Sequence, residues 1–152
     1  MQLDHFDLSI LRYLQVNCRH PADAIGVEIG LSATAVQRRI RRLREVGVIQ
    51  AEVAVIAPDA VGYPLVLLVE LVFAKGLADT IDQFKRQMLA LPEVQQCYYV
   101  AGEYDFMLVL HAASMADYEA FTRAVFFKNS NIIKFRTTVV MDAVKRGLTL
   151  PI

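Results

Sequence analysis

The run from Gly30 to Ile49, GLSATAVQRRIRRLREVGVI, constrains this chain more than any other stretch, because a turn, a helix cap and an amphipathic helix follow one another without a spare residue. On a helix that starts at Ser32, the apolar positions Val36, Ile40 and Leu43 recur at i, i+4 and i+7 and line one face. Gln37, Arg38, Arg39, Arg41, Arg42 and Arg44 occupy the other faces. Ser32 suits the N-cap because its hydroxyl can accept from an orphan amide of the first turn, and Gly47 suits the stop because it tolerates positive φ.

The segment before this helix supplies partners for its apolar stripe. Leu3, Phe6, Ile10, Leu11 and Leu14 recur at helical spacing between Leu3 and Val16, with Asp4 and Asp7 placed as cap and first-turn carboxylate. Pro21 at a first helical position, followed by Ile25 and Ile29, predicts a short second helix ending at Gly30. Only Leu31 then separates it from the Ser32 cap, the spacing of a helix-turn-helix. Gly26 fits a steep crossing of the second and third helices, where a larger side chain at mid-helix would hold them apart.

Charge is distributed unevenly beneath a formal net charge of zero. Residues 1–50 hold seven arginines against five carboxylates, and five of those arginines lie between Arg38 and Arg44. Residues 51–152 hold nine Lys plus Arg against eleven acids. A polyanion meets the local field, so overall neutrality does not argue against nucleic acid. Cys18 and Cys97 fall in different predicted domains and, with no signal-like start, are expected as free thiols in a cytoplasmic protein. His5, His20 and His111 show no ligand spacing with one another or with the cysteines, so neither a metal nor another cofactor is expected. The longest apolar run, Leu65 to Val69 continuing past Glu70 to Ala74, is too short to span a bilayer and reads as a buried strand.

After Gly47 the pattern changes. Val48 to Ile56 is rich in β-branched residues and reads as a linking strand; Ala57 to Pro64, with two prolines and a glycine, reads as a hinge. Beyond it come strand (Leu65 to Phe73), helix (Ala78 to Leu91), strand (Val94 to Val100), strand (Tyr104 to Leu110), helix (Ser114 to Phe127) and strand (Ile132 to Met141). This βαββαβ order predicts a ferredoxin-like sheet with both helices on one face. The expected organisation is α+β: residues 1–50 a helix-turn-helix domain, 51–64 the linking strand and hinge, and 65–152 the sheet domain. Because LVLLV and FMLVL are apolar at both parities, the face without helices also calls for cover, and another subunit's sheet is the expected cover. A two-fold dimer would present two recognition helices to double-stranded DNA, whose grooves repeat every ~34 Å.

On the third helix Ala33, Thr34, Gln37 and Arg38 point away from the apolar stripe and could reach base edges. Gln37 can pair with adenine and Arg38 with guanine, each good bidentate contact giving about 1–3 kcal/mol of discrimination. Arg41, Arg42 and Arg44 lie further along and suit phosphates, while Ser32 caps the helix beside them. Arg39 borders the stripe and could instead pair with Asp7 or Glu28. About three phosphate contacts per subunit of a dimer would give a log-log salt slope of about −5.

Taken in order, these residues resemble the Lrp/AsnC, or feast/famine, transcriptional regulators over nearly the whole chain. Leu3-Asp4, Asp7, Ile10-Leu11, Leu14, Asn17 and Arg19 are similar to that family's opening, and Leu31-Ser32, Val36, Arg39-Ile40, Arg42-Leu43 and Gly47-Val48-Ile49 to its recognition helix and exit. Pro92-Glu93-Val94, Gly102, Tyr104 and Asp105 resemble its ligand-binding domain, called RAM. The resemblance implies dimers that assemble into octamers, and a small effector, usually an amino acid, held between subunits. Ala101, Cys18 and the stretch Lys128 to Asn131 depart from the family's usual Thr, Ala and Pro-Gly turn.

The stretch Gly102-Glu103-Tyr104-Asp105 reads plainly as a hairpin turn whose glycine supplies a special backbone angle. With the resemblance, the effector residues implied are Val100, Ala101, Gly102, Tyr104 and Asp105, joined by hydroxyls of Thr137 and Thr138. There, backbone amides would hold a carboxylate, and the Asp105 carboxylate an ammonium. An enzyme is not expected, since Cys97, Asp105 and His111 form no nucleophile, base and orienting group at related spacings. The alternative function is an architectural protein that wraps DNA with little sequence preference or effector response.

Overall fold

The computed structural model describes residues 2–74 and 78–152; Met1 and residues 75–77 of the two expected domains lie outside the described residues. The chain divides into two compact units, Met1–Val55 with Lys145–Ile152, and Ile56–Val144. Among the described residues no helix is long and apolar enough to cross a membrane.

The first unit holds α1 (His5–Leu14), α2 (Ala22–Ile29) and α3 (Ala33–Glu45). Asp4 and Asp7 close a reciprocal capping box: Asp4 Oδ1 accepts from Asp7 N at 2.9 Å and Asp7 Oδ2 accepts from Asp4 N at 3.2 Å. Pro21 is the cap residue of α2 rather than its first helical residue, and Gly30 ends that helix at φ 73°. Ser32 Oγ accepts from Ala35 N at 3.2 Å and starts α3. Ile10, Leu14, Ile25, Val36, Ile40 and Leu43 form the core between the three helices. Gly26 has its packing role, but the obstacle is the turn and not the crossing helix. A Cβ there would lie 2.4 Å from Leu31 O, the carbonyl just before the Ser32 cap.

The segment read as a linking strand from Val48 to Ile56 forms no strand. Its amides lack a neighbouring ladder, and Val53 and Val55 stand in solvent. The last residues group with the helices, although the expected second domain ran to 152. Gln15 on the C-cap of α1 pairs reciprocally with Leu150, its Nε2 donating to Leu150 O at 2.9 Å and its Oε1 accepting from Leu150 N at 3.0 Å. Arg12 Nε donates to Ile152 O at 2.7 Å.

The second unit runs β1 (Leu65–Phe73), α4 (Ala78–Ala90), β2 (Val94–Tyr99), β3 (Phe106–Ala112), α5 (Met115–Val125) and β4 (Ile132–Val139), the βαββαβ order read from the sequence. The strands form one sheet in the order β2-β3-β1-β4, each neighbouring pair antiparallel. Ser114 caps α5 by accepting from Asp117 N at 3.1 Å. Period-2 alternation sends Leu67, Val69, Leu71 and Phe73 of β1 and Phe106, Leu108 and Leu110 of β3 to one face, packed with Phe84 and Met88 of α4 and Tyr118 and Val125 of α5. Both helices therefore cover that face. Phe73, Phe84 and Phe106 interlock with ring centroids 4.7–5.3 Å apart at the end where β2 turns into β3. The opposite face presents Leu68 and Met107, 40% and 42% exposed, with Val66 and Val109 beside them.

Candidate nucleic-acid and effector sites

The arginine run of α3 is split by its partners. Arg39 Nη1 lies 2.8 Å from both Asp4 Oδ2 and Asp7 Oδ1, and Arg42 Nη2 lies 2.6 Å from Asp7 Oδ2. Asp7 is 1% exposed, so its two oxygens are each matched by an arginine inside the helical unit. Hydrogen bonds to Asp7 and Asp4 raise the pKa of Arg39, and its guanidinium lies 5.3 Å from the Phe6 ring centroid. Of the two partners open to Arg39 from the sequence, the structure selects Asp7, and it adds Asp4. Arg42, read as a phosphate contact, is held as well. Its i, i+3 spacing from Arg39, which puts both on one side of the helix, was the available signal. Arg44 is clipped to Glu52 by bonds of 2.6 and 2.9 Å.

Arg38 and Arg41 have no ion-pair partner among the described residues. With Thr34 and Gln37 they are exposed, and their i, i+3 and i, i+4 spacings make one continuous polar surface. Ser32 is exposed at its start, and Ala33 is half-buried. A surface of this kind can offer two planar donor groups, Gln37 and Arg38, to base edges and a further cation to a phosphate.

In the second unit, the loop 100–105 joins β2 to β3. Val100 N donates to Asp105 O at 2.9 Å, and Asp105 N donates to Leu71 O at 2.8 Å. Asp105 Oδ2 accepts from Phe73 N at 2.6 Å, so one carboxylate oxygen already satisfies the end of β1. Ala101, Gly102 and Glu103 are exposed, while Val100, Tyr104 and Asp105 are half-buried. The sequence assigned Gly102 a special backbone angle, but its φ is not positive, and a Cβ there would meet nothing within 4 Å. Among the described residues nothing demands glycine at this point.

Thr137 and Thr138 do not act together. Thr137 turns to the helices, where its Oγ1 lies 2.5 Å from Tyr118 Oη, whereas Thr138, paired with Leu68, is on the open face. Alternation along a strand separates adjacent side chains, so the two hydroxyls open on different sides of the sheet. Two residues near the loop were not read from the sequence. Glu70 and Arg136 face each other across β1 and β4, 3.8 Å apart, and the Arg136 guanidinium lies 5.6 Å from the Tyr104 ring centroid. Burial first, then the nearby Glu103 and Glu70 carboxylates, raise the Tyr104 pKa against the opposing effect of Arg136. Cys97, a free thiol, has its pKa raised by burial.

A helix-turn-helix unit with an uncommitted polar helix face, in one chain with a βαββαβ sheet unit, defines a two-domain transcriptional regulator. The chain belongs to the Lrp/AsnC family of these regulators: the AsnC-type helix-turn-helix domain matches residues 3–44 and the Lrp/AsnC ligand binding domain matches residues 67–150. It is 42% identical over 152 residues to an uncharacterized HTH-type transcriptional regulator of Sinorhizobium fredii, covering 100% of this chain and 90% of that one. It is 33% identical over 144 residues to the leucine-responsive regulatory protein of Haemophilus influenzae, covering 95% and 87%. Among solved structures, the feast or famine regulatory protein of M. tuberculosis complexed with L-methionine aligns with a TM-score of 0.83 and 29% identity, covering 95% of this chain and 96% of that one. The family is one of transcriptional regulators, not of enzymes.

Proposed function

We propose that this protein is a cytoplasmic, sequence-specific DNA-binding regulator, working as a homodimer that assembles to an octamer and responding to an amino acid bound between subunits. The observation that carries the DNA reading is the partition of α3: Thr34, Gln37, Arg38 and Arg41 are exposed and uncommitted while Val36, Ile40 and Leu43 are buried behind them. Gln37 and Arg38 read base edges, and Arg41 holds phosphate. Arg42 and Arg44 serve DNA less directly, because each is already held by a carboxylate.

The effector reading rests on the loop 100–105. Among the described residues Gly102 has no conformational or steric duty, so its lack of a side chain is available for close approach by a ligand. The exposed loop amides suit a carboxylate, and the remaining capacity of Asp105 suits an ammonium. The L-methionine held by the M. tuberculosis relative supports an amino acid as the ligand class.

Affinity for duplex from the promoter of the protein's own gene, compared with scrambled duplex at fixed salt, tests specificity. A ratio of about 1,000 or more is expected, at the lower end of specific binders; a ratio near one would replace this reading with the architectural one. Thermal-shift screening with the twenty common amino acids tests the sensor. At 100 times its dissociation constant a ligand adds about 2.7 kcal/mol, and no shift with any amino acid at millimolar concentration would remove the effector claim.

A further inference from the structure

The helix-free face of the sheet is apolar along β1 and β3 except at Glu70 and at His111, which stands at the far end of β3 opposite Val66. Glu70 stands between Met107 on β3 and Arg136 on β4, in direct cross-strand register with both. Its side chain is 24% exposed and that of Arg136 is 56% exposed. Leu68 and Val72 flank it along its own strand, on the same parity. The acid and the base are adjacent yet loosely joined, at 3.8 Å. Beyond this pair the Arg136 guanidinium has only the face of the Tyr104 ring, and no hydrogen-bond acceptor within reach among the described residues. A guanidinium carries five N–H donors, so most of its capacity is unused.

We propose that Glu70 and Arg136 are the register key of a two-fold dimer: the face is covered by a second copy of this chain, and Glu70 of each copy pairs with Arg136 of the other. This rests on the homodimer of the proposed function and names the residues that decide which partner, and which alignment, the face accepts. An acid and a base in fixed register are self-complementary under two-fold symmetry, because rotation sets each charge against its opposite; Lys134, opposite Val72 on the same face, is a further cation outside that pair. Covering the patch with anything purely apolar would desolvate both charges with only their 3.8 Å contact and the Tyr104 side chain to compensate, which is unfavourable. A second copy instead supplies two more partners and completes the guanidinium's hydrogen bonds. Sliding by one residue pair would set the charges against Leu68 or Met107, so the same pair excludes wrong alignments of an otherwise slippery apolar surface.

Charge reversal tests this on the full-length protein by sedimentation. Glu70→Arg sets cations at both positions of the pair and Arg136→Glu sets anions at both, with Lys134 unchanged beside them. Each variant alone is expected to have a dimer dissociation constant at least about tenfold above wild type, and an equimolar mixture is expected to form a heterodimer close to wild-type affinity. Reversals that self-associate like wild type, or a mixture no tighter than its components, would overturn the key while leaving the dimer standing. A wild type that is monomeric at micromolar concentration would remove the dimer itself. Should a reversal fail to fold by circular dichroism, the neutral cycle of Glu70→Gln, Arg136→Gln and the double variant decides. Coupled effects on the dissociation constant are expected, and strictly additive ones would overturn the proposal.

Discussion

Arg42 Nη2 stands 2.6 Å from Asp7 Oδ2, and the carboxylate that receives it is 1% exposed and also holds Arg39 at 2.8 Å. Two arginines of α3 are thereby tied to the first turn of α1, and the helix proposed to read DNA is fixed by part of its own charge. Asp7→Asn leaves both guanidiniums without their shared anion. Breaking a buried pair costs about 3–5 kcal/mol; because both arginines are partly in water, a loss of about 2 kcal/mol is expected here. Urea unfolding of wild type and variant measures it, and an unchanged midpoint would deny the strut.

The same cluster makes stability depend on acid. The Asp4 pKa is lowered, chiefly by the hydrogen bond its carboxylate accepts from the Asp7 amide and further by Arg39. A carboxyl depressed in the folded state contributes stability above its unfolded pKa, and that contribution is lost as pH falls through the folded value. Urea midpoints measured downward from about pH 5 should therefore fall below about pH 4, the ordinary Asp range, and fall less steeply in Asp4→Asn.

Two glycines make opposite expectations. Gly26→Ala puts a methyl 2.4 Å from Leu31 O, and overpacking of this kind costs about 1–3 kcal/mol despite the better helix propensity of alanine. Gly102→Ala meets nothing, so its stability should stay within about 0.5 kcal/mol of wild type while the effector-dependent thermal shift shrinks. Differential scanning fluorimetry with and without the amino acid checks both.

Removal of a free cation of α3, Arg41, separates it from a held one, Arg42. Arg41→Ala should flatten the log-log salt slope of DNA binding by about two, one contact from each copy of a dimer. Arg42→Ala should leave the slope nearly unchanged and lower the unfolding temperature, because its charge is spent on Asp7. Equal slope changes in the two variants would contradict the partition of α3.

The pairing of Gln15 with Leu150 is accessible to hydrogen exchange. Gln15→Ala removes both bonds to Leu150, so the amide of Leu150 should exchange faster while the core of α1, centred on Ile10, keeps its protection. Unchanged exchange at Leu150 would show that the pairing contributes nothing to order in the tail.

Local chemistry was the legible part of this chain. The caps at Asp4, Ser32 and Ser114 and the strand Leu65–Phe73 follow from side-chain types and spacings a few residues wide. What spans distance in sequence was not legible. Arg42 meets Asp7 thirty-five residues away and Leu150 meets Gln15 one hundred and thirty-five away, and no periodicity encodes such meetings. The Val48 to Ile56 segment has β-branched composition without a strand because composition cannot supply a ladder partner. Thr137 and Thr138 differ for a simpler reason. Phase along β4 sets them on opposite faces, and phase is readable only once the inward parity of the strand is known.

The central claim, that the exposed side of α3 reads base sequence, is tested most directly by selecting bound duplexes from a random pool, with and without a mixture of amino acids. The account expects an enriched two-fold motif with half-sites about 10 base pairs apart or a multiple of that, lost in Gln37→Ala with Arg38→Ala, and altered by the amino acids. A pool that stays random, or a motif unchanged in that double variant, would contradict it.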